Sequence, residues 1–127
     1  MRVVVTGMGI ISPIGTGADQ FWNAAIQGVS GISNIQCFDA SGQHSRIAGQ
    51  INGFDPSSFL SAKQIDQTDR FTQLALCAAN LALEDAGGLE GYAPRRLAVS
   101  LGSGMGGFST FESSAARKLQ NKSMPPF

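Results

Sequence analysis

The sequence predicts an α/β fold, a mixed β-sheet layered with helices, and three observations carry that prediction. Val3 to Val5 and Leu97 to Leu101 are continuous apolar runs of the kind found in strands buried on both faces. Each run is followed by a glycine-rich turn and then by a helical pattern. Between the two units lies a long helix whose apolar stripe is mostly alanine, so a neighbouring layer can come close to it.

In chain order, the first strand ends at Gly7 and leads into the turn Gly7-Met-Gly9-Ile-Ile-Ser12-Pro13-Ile-Gly15. Phe21, Trp22, Ala25 and Ile26 recur at helical spacing within residues 18–27, and Gly28 is a helix stop. Residues 29–44 are rich in Ser, Gly, Asn and Asp and read as an irregular connection, whereas Arg46 to Ile51 alternates as a short strand does. Asp55-Pro56 is a helix-start signal, and Ser61 followed by Gln64 forms a capping box. Phe71, Leu74, Ala75, Ala78, Leu81 and Ala82 place a helix over residues 69–86, closed by Gly87-Gly88. After the strand at residues 97–101 comes the turn Gly102 to Gly107. Phe108 to Lys122 then reads as a helix whose basic end suits its C-terminus. The last residues, Pro125-Pro126-Phe127, are no natural stop for a domain, so further sequence is expected after them.

Composition limits function. The 127 residues carry 9 basic and 9 acidic side chains, so the net charge is zero. That excludes a non-specific electrostatic grip on nucleic acid or on an anionic membrane. Charged residues make up 14% of the chain, where about 25% is usual, and 16 glycines exceed the usual share of about 7%. Such a surface is expected to be covered by a partner subunit or by further sequence. No apolar run approaches the roughly 18 residues needed to span a bilayer, and no signal-peptide pattern opens the chain. Cys37 and Cys77 lie in unlike contexts, so no disulfide framework is indicated and a soluble, cytoplasmic, reducing location is expected.

The residues by themselves offer little chemistry. Gly102-Ser-Gly104-Met-Gly106-Gly107 satisfies the GxGxxG string of dinucleotide sites, but no acidic residue follows Glu112 to take a ribose hydroxyl. The other reading of these glycines is that they let backbones cross closely between layers. His44 is the only histidine and sits in a polar stretch, where a solvated loop residue is the ordinary case. Cys77 lies among Ala and Leu and reads as an inert core residue. Asp66, Asp69, Glu84 and Asp85 read as helix caps and solvated faces. No metal-ligand spacing occurs, and neither a metal nor a cofactor is expected.

Residues Arg2-Val-Val-Val-Thr-Gly-Met-Gly-Ile-Ile-Ser-Pro-Ile-Gly15 resemble the opening of the β-ketoacyl-acyl-carrier-protein synthases. Four further segments keep that family's order: Gly31-Ile-Ser with Phe38-Asp39, Arg46-Ile-Ala-Gly49, Asp69-Arg-Phe71 with Leu83-Glu-Asp-Ala-Gly87, and Leu101-Gly-Ser-Gly-Met-Gly-Gly107. The similarity is closest to the synthase II branch, with polyketide ketosynthases near it. It implies a thiolase-like fold of two similar α/β halves, of which this chain would be an incomplete N-terminal half, usually in a homodimer. It also implies an acyltransferase of fatty-acid or polyketide synthesis. In that chemistry a cysteine takes an acyl group from acyl-carrier protein, and two histidines support decarboxylation of malonyl-carrier protein and the Claisen attack.

The family's catalytic cysteine stands in a Thr-Ala-Cys type motif that neither Cys37 nor Cys77 matches, and His44 matches neither histidine. The resemblance therefore places the cysteine and both histidines beyond Phe127, and no catalytic residue is expected within the chain. It implies that residues 1–127 are the N-terminal portion of a synthase's N-terminal domain, truncated before the catalytic cysteine and inactive in condensation alone. Met105 matches a bulky apolar gate on the acyl pocket, a role that a flexible thioether suits. Lys63 matches a basic residue presented to the acidic carrier protein, although Asp66 and Gln67 replace basic neighbours. A chain-length-factor subunit, which shares the fold and lacks the cysteine, is the alternative. A dinucleotide-binding domain is a distant third.

Overall fold

The computed structural model describes residues 2–120. Inside the first glycine turn, β1 (Ile11–Ser12) and β2 (Gly15–Thr16) form a small antiparallel hairpin. The Ser12 hydroxyl holds it from within, donating to the Gly15 carbonyl at 3.0 Å and accepting from the Ile14 N–H at 3.3 Å. Helix α1 spans Ala18–Ile26 and stops where Gly28 takes a left-handed φ of 68°. β3 (Ile32–Asn34) pairs antiparallel with β4 (Ile47–Gly49), with Ser33 opposite Ala48. The strand expected over residues 46–51 is therefore present. Its partner lies in the stretch read as irregular, because three paired residues are too few to show a period of two.

The Asp55 carboxylate caps a single 3₁₀ turn, Pro56–Ser58, by accepting from the Ser57 N–H at 2.9 Å and the Ser57 hydroxyl at 2.7 Å. Those two bonds hold its pKa below the usual carboxylate value. Helix α2 (Ala62–Gln67) opens on the capping box expected from sequence. The Ser61 N–H donates to Gln64 Oε1 at 2.9 Å, and the Gln64 N–H donates back to Ser61 Oγ at 3.4 Å. Helix α3 (Arg70–Asp85) follows within one residue of its expected bounds and ends at Gly87 and Gly88, both at positive φ. Helix α4 covers Phe108–Leu119, with Arg117 and Lys118 in its last turn. The expected extension to Lys122 and the closing Pro125-Pro126-Phe127 lie outside the described residues.

Helix α3 is the centre of the packing. The first glycine turn lies directly on its alanine face: a Cβ on Gly9 would overlap the Ala78 carbonyl oxygen and stand 2.6 Å from the Ala82 nitrogen. A Cβ on Gly7 would come within 2.8 Å of the Ala86 side chain. The Met8 N–H between them donates to Asp85 Oδ2 at 2.8 Å, so Asp85 pins this crossing and is not only a solvated helix-face residue. Glycine and alanine thus serve one purpose here, close approach of two backbones. The α2–α3 corner is held by Gln73, a buried polar residue whose Nε2 donates to Ile65 O at 2.9 Å and Thr68 O at 2.8 Å. Arg70 reaches back to the carbonyls of Phe54 (3.1 Å) and Ile51 (3.2 Å), its guanidinium 5.5 Å from the Phe54 ring centroid.

One expectation, of two buried strands, is corrected. Residues 3–5 and 97–101 form no strand; Val3 is 91% and Val99 96% exposed. Their apolar pattern records faces that can be buried, but a strand also needs a ladder partner, and none of the described residues supplies one. Leu97, Ala98 and Val99 of the second run, with Thr6 and Gly7 just after the first, line an apolar cleft of about 630 Å³ floored by the Ala82–Ala86 turn of α3. Helix α1 forms where expected, with none of its residues buried and Trp22 64% exposed. The low charge of the chain matches this picture of apolar surface without a cover.

Candidate functional site

The residues singled out by the family resemblance, Met105 and Lys63, fall on separate features, the Gly102–Gly107 turn and the α2 helix. The turn is closed by the Gly106 N–H donating to Ser103 Oγ at 2.9 Å, and Gly106 itself adopts a left-handed φ of 59°. Met105 lies in this turn, 73% exposed, so most of its flexible thioether side chain faces solvent. Nothing lies within 4 Å of where a Cβ would stand on Gly102 or Gly104, so these two glycines are not used for close packing among the described residues. The turn follows no strand, and therefore lacks the strand, turn, helix context that the dinucleotide reading requires.

Where the turn enters α4, it rests on the start of α3. Asp69 is the N-cap residue of α3, its carbonyl accepting from the Gln73 N–H at 3.0 Å, yet its carboxylate makes no capping bond to its own helix. Instead Oδ1 accepts the hydroxyl of Thr110 in the first turn of α4, and Oδ2 faces the Cα of Gly107 so closely that a Cβ there would overlap it. A cavity of about 230 Å³ lies beside this contact, lined by Asp69, Phe71, Leu74, Gly106, Gly107 and Phe108. From sequence, Asp69 reads only as a cap. The pairing with Thr110 spans 41 residues, and no local pattern announces a contact at that separation.

The remaining candidates stay apart. Lys63 is exposed on the first turn of α2, with the exposed Asp66 three residues on. Cys77 is fully buried in α3, and burial pushes its thiol pKa up while the charge of Arg70 pulls it back in part. That environment suppresses the thiolate, in line with the inert reading from sequence. Cys37 and His44 are both exposed on the connection between β3 and β4. Among the described residues no group of His, Cys, Asp and Glu could hold a metal ion, and no helix is long and apolar enough to cross a membrane.

A family model described as the N-terminal domain of β-ketoacyl synthase matches residues 1–126. The chain belongs to the β-ketoacyl synthase family. Within that family it is 41% identical over 112 residues to the 3-oxoacyl-[acyl-carrier-protein] synthase 2 of Vibrio cholerae, a match covering 87% of this chain and 27% of that protein. The corresponding synthase 2 of Staphylococcus aureus is 38% identical over 123 residues, covering 96% of this chain and 30% of the relative. A tetracenomycin polyketide synthase ketoacyl synthase beta subunit of Streptomyces glaucescens is 49% identical over 85 residues, 67% of this chain and 21% of the relative. The solved structure of the ishigamide ketosynthase/chain length factor superposes with a TM-score of 0.77 at 29% identity, over 94% of this chain and 30% of that one. This β-ketoacyl synthase chain thus has the α/β, thiolase-like fold that its motifs implied, and it spans under a third of the length of these relatives.

Proposed function

We propose that this chain is the N-terminal segment of a 3-oxoacyl-acyl-carrier-protein synthase of fatty-acid or polyketide assembly. The observation that carries the reading is the family match over residues 1–126 together with the synthase 2 relatives. In the reaction a cysteine thiolate attacks the acyl thioester, the carrier's thiol leaves, and the acyl group rests on the enzyme. Malonyl-carrier protein then loses carbon dioxide. The resulting enolate attacks the acyl-enzyme carbonyl, a carbon–carbon bond forms and the cysteine thiolate is expelled. The nucleophile and the two histidines are assigned to sequence beyond Phe127, because the buried Cys77, the exposed Cys37 and His44 match none of their motifs.

Two roles fall to the described residues. Met105 is assigned to the mouth of the acyl pocket, where a largely exposed, flexible thioether on a turn can swing aside for a growing chain. Lys63, exposed on α2, is assigned to the docking of the acidic carrier protein. A second synthase subunit is the other proposed partner. The 49% identity to a ketoacyl synthase beta subunit and the likeness to a ketosynthase/chain length factor favour one other reading, a subunit that shapes the acyl tunnel without the nucleophile.

An assay of the complete protein with butyryl- and malonyl-carrier protein tests these assignments. The synthase reading expects 3-oxoacyl-carrier product with stoichiometric carbon dioxide. Lys63→Glu is expected to raise the KM for carrier protein about three- to tenfold with kcat held, since one charge at a docking rim acts mainly on encounter. Absence of product from the well-folded complete protein would favour the non-catalytic subunit.

A further inference from the structure

We infer that Asp69 and Thr110 form a latch that positions the Gly102–Gly107 turn, and through it Met105, so that the pair tunes which acyl chains the pocket accepts. This rests on the proposed role of Met105. The geometry is specific in three respects. The Asp69 carboxylate is diverted from the cap of its own helix, the usual use of aspartate at that position. One of its oxygens accepts the Thr110 hydroxyl across 41 residues of sequence. The other lies against Gly107, the residue that joins the turn to α4, where a side chain would collide with it. The Met105 turn is thus tied at its C-terminal end to α3, the helix on which the first glycine turn also rests.

Among the described residues no side-chain hydrogen bond holds the other end. A Cβ on Gly102 or Gly104 would meet nothing within 4 Å, and the internal Gly106 to Ser103 bond moves with the turn. If the latch opens, the turn that carries Met105 loses its hydrogen bond to α3 and keeps the nearby Phe71 ring. Phe71 and Leu74 of α3 line the small cavity beneath the latch, so the turn has space to shift toward them. Thr110 and Asp69 are positioning residues in this account. Neither is assigned contact with the reacting atoms.

The test compares Thr110→Val, Thr110→Ser and Met105→Ala in the complete protein. Two quantities are read: amide hydrogen exchange across residues 102–107, and the ratio of kcat/KM for palmitoyl- over butyryl-carrier protein. Thr110→Val keeps the side chain's shape and removes the donor; it is expected to speed exchange across the turn about three- to tenfold, the scale of losing one charge-assisted hydrogen bond at an exposed site. It should change the chain-length ratio by at least about threefold, and Thr110→Ser should restore both quantities. Unchanged exchange in Thr110→Val would overturn the latch. If Met105→Ala shifts the ratio while Thr110→Val does not, the latch fails and the pocket reading stands. If Met105→Ala leaves the ratio untouched, the role of Met105 itself is wrong.

Discussion

Gly9→Ala should destabilise the protein by about 3 kcal/mol, the upper range for forcing a methyl group into a packed contact. Gly9 is not at positive φ, so alanine meets no backbone strain and the whole effect comes from the collision. The new Cβ would overlap the Ala78 carbonyl oxygen and press on the Ala82 nitrogen, both helix backbone, which no side-chain rotation can relieve. Separating the layers instead would strain the Met8 to Asp85 bond. Gly102→Ala is the control, with open space around its Cβ, and is expected to stay within about 0.5 kcal/mol of the parent. Denaturant midpoints of the complete protein measure both. Equal midpoints for the two variants would show that the glycine turn does not lie on α3 as described.

The second large effect is expected at Gln73. Its amide donates to Ile65 O and Thr68 O, carbonyls at the end of α2 where the helix has run out of its own donors. Gln73→Glu keeps the shape and replaces a shared donor with an acceptor, so an ionised carboxylate would face two carbonyl lone pairs in a buried site. A loss of about 2–3 kcal/mol is expected at pH 8. The sign of its pH dependence follows directly. The neutral acid can donate one bond, so the folded state raises the pKa of Glu at position 73. The loss is then largest above that raised value and shrinks as pH falls through it. A destabilisation independent of pH would mean that the amide's hydrogen bonds do not hold the corner.

These two sites mark how far the sequence can be read. Local signals are sound: the Ser61 and Gln64 capping box, the bounds of α3 and the stop at Gly28 each involve residues within a few positions of one another. The alanine stripe of α3 and the glycines before it also point to a close crossing, since small residues on both sides have one obvious use. What escapes are contacts joining distant segments, namely Met8 with Asp85 and Asp69 with Thr110. Polar residues at helix ends look alike in sequence whether they cap locally or reach across the fold.

The runs at residues 3–5 and 97–101 show the opposite failure. Their side chains carry the mark of a doubly covered sheet, yet ladder hydrogen bonds depend on neighbours that the described residues do not provide. A chain spanning about 27% of its synthase relatives leaves such faces to be covered by the rest of a synthase, under the function proposed here. For the candidate site, Met105 and Lys63 can be placed only through resemblance. A methionine on a glycine turn and a lysine on a short helix have no pattern of their own.

The most direct test of the proposed function is to incubate the complete protein with butyryl-carrier protein, digest it, and locate the acylated residue by mass spectrometry. A thioester is expected on a cysteine beyond Phe127, with Cys37 and Cys77 unmodified. An acyl group on Cys77 or Cys37, or none on any cysteine, would contradict it.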